Sequence, residues 1–86
     1  MIELKVMTSR QLFLKREVDL VVLPGSEGQL GVLPGHTPLI TSLREGPIRY
    51  KIGEEEERIF TTGGYAHIQP HGVTLLLEEV SRQEGE

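Results

Sequence analysis

The 86-residue sequence has no cysteine, a single alanine and only four Tyr or Phe residues. Without thiols, a disulfide-stapled scaffold, thiolate catalysis and a zinc–thiolate centre are all excluded. No apolar run approaches the ~18 residues that a membrane span requires. The opening Met1-Ile2-Glu3-Leu4-Lys5 lacks the apolar stretch of a secretory signal, so the cytoplasm is the expected default compartment. Charge of one sign is also scarce, with 9 basic against 13 acidic residues and a net charge of −4. That balance does not drive disorder by self-repulsion. Its sign argues against nucleic acid or an anionic lipid surface as partner, and no direct lipid insertion is expected. The lone alanine, Ala66, leaves little material for helices, which favour Ala and exclude interior Gly and Pro.

What the chain does contain points to strands. Val and Ile together number 13, Thr 6, Gly 10 and Pro 5. β-Branched residues favour extended structure, while Gly and Pro punctuate it. At 9.6 kDa there is room for one modest core and no second one.

Period-two alternation is clear at Ile2, Leu4 and Val6 and again at Ile48, Tyr50 and Ile52, each the pattern of a half-buried strand. Leu12–Leu14, Leu39–Leu43, Arg58–Thr62 and Tyr65–Gln69 read as further short strands. Leu30 and Val32 leave room for only a very short one. The uninterrupted runs Val18–Leu23 and Val73–Leu77 predict strands covered on both faces. Gly53 and Glu54–Glu57 predict a charged hairpin tip, and residues 81–86 a polar tail. Eight or nine strands with a turn every 8–12 residues predict an all-β sandwich or small barrel over residues 1–80.

The densest punctuation lies between Pro24 and Pro38, with four Gly and three Pro in fifteen residues. Pro fixes φ and Gly supplies positive φ, so this stretch is a shaped surface rather than a mobile loop. It has neither the Gly-Lys-Ser/Thr ending nor the following helix of a phosphate-binding loop. No serine sits in a Gly-x-Ser-x-Gly context, and no carboxylate pair stands out as acid and base, so no catalytic residue is identified. His36, His67 and His71 are the only imidazoles. Gathered on adjacent strands they would form a His₃ metal site, but their spacing is not that of ligands, and turn or surface positions are the simpler reading. No metal and no other cofactor is therefore assigned. Four consecutive carboxylates at Glu54–Glu57 point alternately to opposite sides of an extended chain and cannot converge on a cation.

The segment from Val18 to Leu39 closely resembles the epsilon subunit of F-type ATP synthases. The hallmark Gly-x-Leu/Phe-Gly-x-x-Pro-Gly-His-x-Pro-Leu is unbroken from Gly28 to Leu39. Leu43-x-x-Gly46, Gly63-Gly64-Tyr65 and the last strand Val73–Leu77 sit at the spacing the family shows, so the resemblance covers residues 2 to about 80. It implies a flattened antiparallel β-sandwich of about ten short strands in the rotor's central stalk, on the cytoplasmic face of the energy-transducing membrane. The implied role is non-catalytic: coupling of proton translocation to ATP synthesis through contacts with the gamma subunit and the c-ring. By position, Ser26, Glu27, Gly28 and Gln29 would face the c-ring, and Thr8, His36 and Thr41 would face gamma. Pro34, Gly35 and Pro38 would shape the turn between them.

Three departures from the family are visible. Arg16 stands where a glycine is common. Gln29 stands where an acidic residue is frequent, so a ring contact there would be a neutral hydrogen bond. The helical hairpin that follows the sandwich in the family, and that brakes ATP hydrolysis, has no counterpart in this sequence. The alternatives that the residues leave open are a cupin-like small metal-dependent enzyme and a generic β-sandwich adaptor.

Overall fold

The computed structural model describes residues 1–82; residues 83–86 of the expected polar tail lie outside the described residues. Ten strands follow one another: β1 (Ile2–Met7), β2 (Leu12–Val18), β3 (Leu20–Gly25), β4 (Gly28–Val32), β5 (Leu39–Leu43), β6 (Gly46–Ile52), β7 (Glu55–Thr61), β8 (Gly64–Gln69), β9 (Gly72–Leu77) and β10 (Val80–Arg82). No helix occurs among the described residues. The all-β expectation holds, and β10 carries the sandwich two residues into the stretch read as tail.

The strands form a continuous path, β10-β7-β6-β3-β5-β8-β9-β1-β2, with β4 added on the far edge of β3. Pairing is antiparallel throughout except between β1 and β9, which run parallel. The path turns over at β3. Leu20, Val21 and Val22 pair with β6, whereas Gly25 at the other end of the strand pairs with Leu43 of β5. One strand thereby changes layers, as happens at sandwich corners. The result is two facing layers around one core.

Alternation decides what each strand gives to that core. Ile2, Leu4 and Val6 of β1, Ala66 and Ile68 of β8, and Val73, Leu75 and Leu77 of β9 are buried from one layer. Val21, Leu23, Ile48, Tyr50 and Ile59 are buried from the other. At ~25 cal/mol per Å² of apolar surface, each buried Val, Leu or Ile contributes roughly 1.5–3 kcal/mol.

Two runs expected to be covered on both faces are not. Val18–Leu23 is interrupted at Asp19, whose N–H donates to Lys51 O (2.8 Å) and whose carboxylate accepts from Gly53 N (2.8 Å). Val18 therefore closes β2 and Leu20 opens β3, and burial alternates along the second. In β9, Leu76 remains 50% exposed between buried Leu75 and Leu77. An apolar run records side-chain type and not direction, so it cannot distinguish a covered outer face from a bare one. The acidic run also differs from expectation. Glu55–Glu57 lie within β7, where Glu56 pairs with Arg49 (3.5 Å) and Glu57 with Arg82 (3.7 Å). Leu12–Leu14 extends through Lys15-Arg16-Glu17 as a seven-residue strand, because β1 supplies an antiparallel partner along its length.

The two ends of the strand path meet across a seam. Arg82 of β10 lies over the Phe13 ring of β2, 5.6 Å from its centroid. Beneath it, the buried Tyr50 hydroxyl donates to Glu57 Oε1 at 3.2 Å. Burial holds the Tyr50 phenol above its ordinary value, and the adjacent Glu57 carboxylate raises it further.

Candidate functional site

The β3–β4 connection is a tight hairpin. Gly25 faces Gly28 across a two-residue tip, Ser26-Glu27. The tip does not project freely, because Ser26 N donates to Ser42 O (3.1 Å) and the two hydroxyls, Ser26 Oγ and Ser42 Oγ, lie 2.6 Å apart. One layer change further back, Arg44 N donates to Pro24 O at 2.9 Å. The loop expected to face the c-ring, Ser26–Gln29, is thus pinned to β5, the strand that carries Thr41. Together they line an open hollow of about 560 Å³ whose apolar wall includes Leu30, Leu39 and Ile40. Glu27 is the one charged residue in that lining.

The stretch between β4 and β5 is shaped by its prolines and one glycine. His36 N donates to Leu33 O at 3.2 Å, closing a turn with Pro34 and Gly35 at its centre. Gly35 has φ +87, the conformation that the third position of a type II turn demands. Its N–H reaches across to Pro70 O (2.8 Å), docking this turn on the one between β8 and β9. The His36 ring donates from Nδ1 to Thr37 O at 2.6 Å, so the imidazole is engaged locally. Pro38 leads directly into β5.

The three residues expected to face gamma are spread over one layer. Thr8 follows β1, Thr41 lies in β5, and His36 lies beside the Pro70–His71 turn. Between them runs a feature that sequence reading did not pick out. Strand register places Leu12, Met7, Leu76, Tyr65 and Ser42 side by side across β2, β1, β9, β8 and β5. Leu12 is 53% exposed, Leu76 50% and Tyr65 62%. Ile40, 70% exposed, sits two residues along β5 opposite His67. A mainly apolar row therefore crosses the outer face from β2 to the hollow. Its signal in the sequence was the apolar residue on the polar phase of each strand, legible only once register is known.

His67 is exposed on this outer face and His71 in its turn, while His36 is half-buried. Among the described residues, no three His, Asp or Glu side chains are grouped closely enough to hold a metal ion. The cupin-like alternative thus has no support.

The profile of the ATP synthase delta/epsilon chain β-sandwich domain matches residues 1–83. The chain belongs to this family. It is 45% identical over 80 residues to the ATP synthase epsilon chain of Herminiimonas arsenicoxydans, covering 91% of this chain and 57% of that one. With the epsilon chain of Dehalococcoides mccartyi strain CBDB1 it shares 37% identity over 83 residues, covering 96% and 59%. The chain therefore spans a little over half the length of these relatives.

Solved structures share the architecture. A chain in the cryo-EM structure of the Euglena gracilis mitochondrial ATP synthase OSCP/F1/c-ring assembly superposes with a TM-score of 0.88 at 26% identity, over 94% of this chain and 52% of that one. A chain in the central stalk/c-ring structure from Tetrahymena thermophila gives 0.79 at 14% identity, over 94% and 66%, a likeness of fold alone.

Proposed function

We propose that this chain is the sandwich portion of a central-stalk rotor subunit of an F-type ATP synthase. It is non-catalytic and couples proton translocation through the c-ring to ATP synthesis by binding gamma and the ring. It works peripherally at the cytoplasmic face of the energy-transducing membrane. The observation that carries this reading is the pinning of the Ser26–Gln29 tip to β5, on a fold of the delta/epsilon family. A loop held by backbone and hydroxyl contacts at both layers transmits force instead of bending under it. Ser26, Glu27, Gly28 and Gln29 are assigned to the ring. Thr8, Thr41 and His36, with the apolar row between Leu12 and Tyr65, are assigned to gamma. An exposed apolar row flanked by polar residues is the kind of surface that partner burial stabilises.

The test is co-purification with a gamma subunit at micromolar concentration, followed by addition of the c-ring. A stable binary complex supports the reading. Absence of any complex at that concentration overturns it, and binding to an unrelated partner instead would favour the adaptor alternative.

A further inference from the structure

The hollow beside the hairpin tip is bounded on one side by a sheet edge with no partner strand among the described residues, and its backbone geometry specifies what fits there. Ser42 O accepts from Ser26 N, and Arg44 N donates to Pro24 O, so the main-chain groups of Ser42 and Arg44 point towards β3. Main-chain groups two residues apart on a strand point the same way. The N–H and C=O of Ile40 therefore also point away from β8, its one paired neighbour. At the level of Ile40, however, β3 has already turned back at Ser26-Glu27, and these groups open into the hollow.

This edge differs from the others in one respect. Exposed edges are normally blunted by charge, Pro or irregularity. The edge strand β2 carries Lys15, Arg16 and Glu17, and β10 ends in Arg82. β4 holds two glycines, Gly28 and Gly31. β5, Leu39-Ile40-Thr41-Ser42-Leu43, has no charged residue, no Pro and no Gly. Ile40 is also the most exposed large apolar side chain in the described structure, at 70%.

We propose that the free edge of β5 at Ile40 receives a short extended segment of the gamma subunit. The segment adds as a strand in line with β3, exchanges hydrogen bonds with the Ile40 N–H and C=O, and packs an apolar side chain beside Ile40 on the outer face, which Ile40 shares with its register partner His67. Its end nearest the hairpin tip carries a cationic side chain, because Glu27 is the only charged residue among the described residues that line the hollow. A second copy of this chain fits less well, since it would bring another Glu27 and a net charge of −4 to the same place. Strand addition of this kind draws affinity from the main chain and specificity from side-chain positions. The inference rests on the rotor reading for the identity of the partner.

Amide hydrogen exchange on the isotopically labelled chain, free and with purified gamma subunit, tests it together with two variants. The Ile40 amide exchanges readily in the free chain, unlike that of Thr41, and slows by about tenfold or more in the complex. Ile40→Pro removes the outward N–H at a position where an edge strand tolerates Pro. It keeps its melting temperature but weakens gamma binding by about tenfold or more, as loss of one or two hydrogen bonds requires. Ile40→Thr, which retains the N–H, binds more tightly than Ile40→Pro. An Ile40 amide already protected in the free chain, or unchanged in the complex, overturns the proposal and leaves the rotor reading standing. Gamma that binds no form of the chain overturns the rotor reading and this inference with it. A dimer that Ile40→Pro dissolves would show that the edge takes a second copy, and would overturn the partner assignment.

Discussion

The hydroxyls of Ser26 and Ser42, sixteen residues apart in the chain, meet at 2.6 Å where the β3–β4 tip crosses onto β5. With the Ser26 N to Ser42 O bond beside it, this contact holds the proposed ring-facing loop at a fixed angle to the strand proposed to face gamma. An exposed pair of this kind contributes about 0.5–1.5 kcal/mol. Ser26→Ala and Ser42→Ala are expected to cost similar amounts in urea unfolding. The double variant should cost little more than either one, since both remove the same contact. Strict additivity would show that the hydroxyls act independently.

Gly35 is expected to resist substitution for reasons of backbone alone. An added Cβ there meets nothing within 4 Å, yet φ is +87. Gly35→Val should therefore lower stability by about 1–3 kcal/mol through strain, with no clash involved. For a domain of this size that is a fall in Tm of at least ~4 °C. Thermal melting reads it directly, and an unchanged Tm contradicts the turn assignment.

Gly64 shares the positive φ (+151) and adds a steric clash. A Cβ added to it would collide with Leu76 O and lie 2.8 Å from Leu77 Cα, both backbone atoms of the neighbouring strand. Gly64→Ala is expected to force β8 and β9 apart and to exceed ~4 kcal/mol, a value reserved for identifiable structural failures. Gly31→Ala, with open space around it and no positive φ, is the matched control. Soluble yield and denaturant midpoint compare them.

Thr61 is fully buried and sews the end of β7 to the start of β10. Its Oγ1 donates to Glu79 O at 2.9 Å and accepts from Gly63 N at 3.0 Å. Thr61→Val keeps the shape but leaves both groups short of a partner, which costs about 1–3 kcal/mol for each group left unsatisfied. Thr61→Ser should recover most of that loss. Equal stability of the Val and Thr forms would mean that water reaches the site.

Tyr50 sets a pH dependence on the alkaline side. Its phenol is raised above 10.0, first by burial and then by Glu57, so the folded chain keeps the proton that the unfolded chain releases. Stability is therefore fully present below about pH 10 and falls as the pH rises from there towards the folded value. Tyr50→Phe should flatten this alkaline loss while removing the bond to Glu57. Equilibrium unfolding between pH 8 and 11 measures both effects.

Much of the fold was written in local pattern. The alternation in Ile2–Met7 and Gly46–Ile52, the scarcity of alanine and the spacing of Gly and Pro all require short half-buried strands, because side-chain direction in a strand repeats every two residues. The Pro34-Gly35 turn was likewise legible, since Pro presets the φ of its second position and Gly supplies the positive φ of its third. These depend on neighbours in the chain, and the sequence by itself determined them. It did not determine where Val18–Leu23 breaks, because Asp19 is held by Lys51 and Gly53, more than thirty residues away. Nor did it reveal that Leu12, Met7, Leu76 and Tyr65 form one row, or that the Ser26 tip rests on Ser42 beside the bare edge of Ile40. Those relations come from strand register and from the layer change at β3, which are fixed by burial of the whole core. Only the tertiary structure decided them.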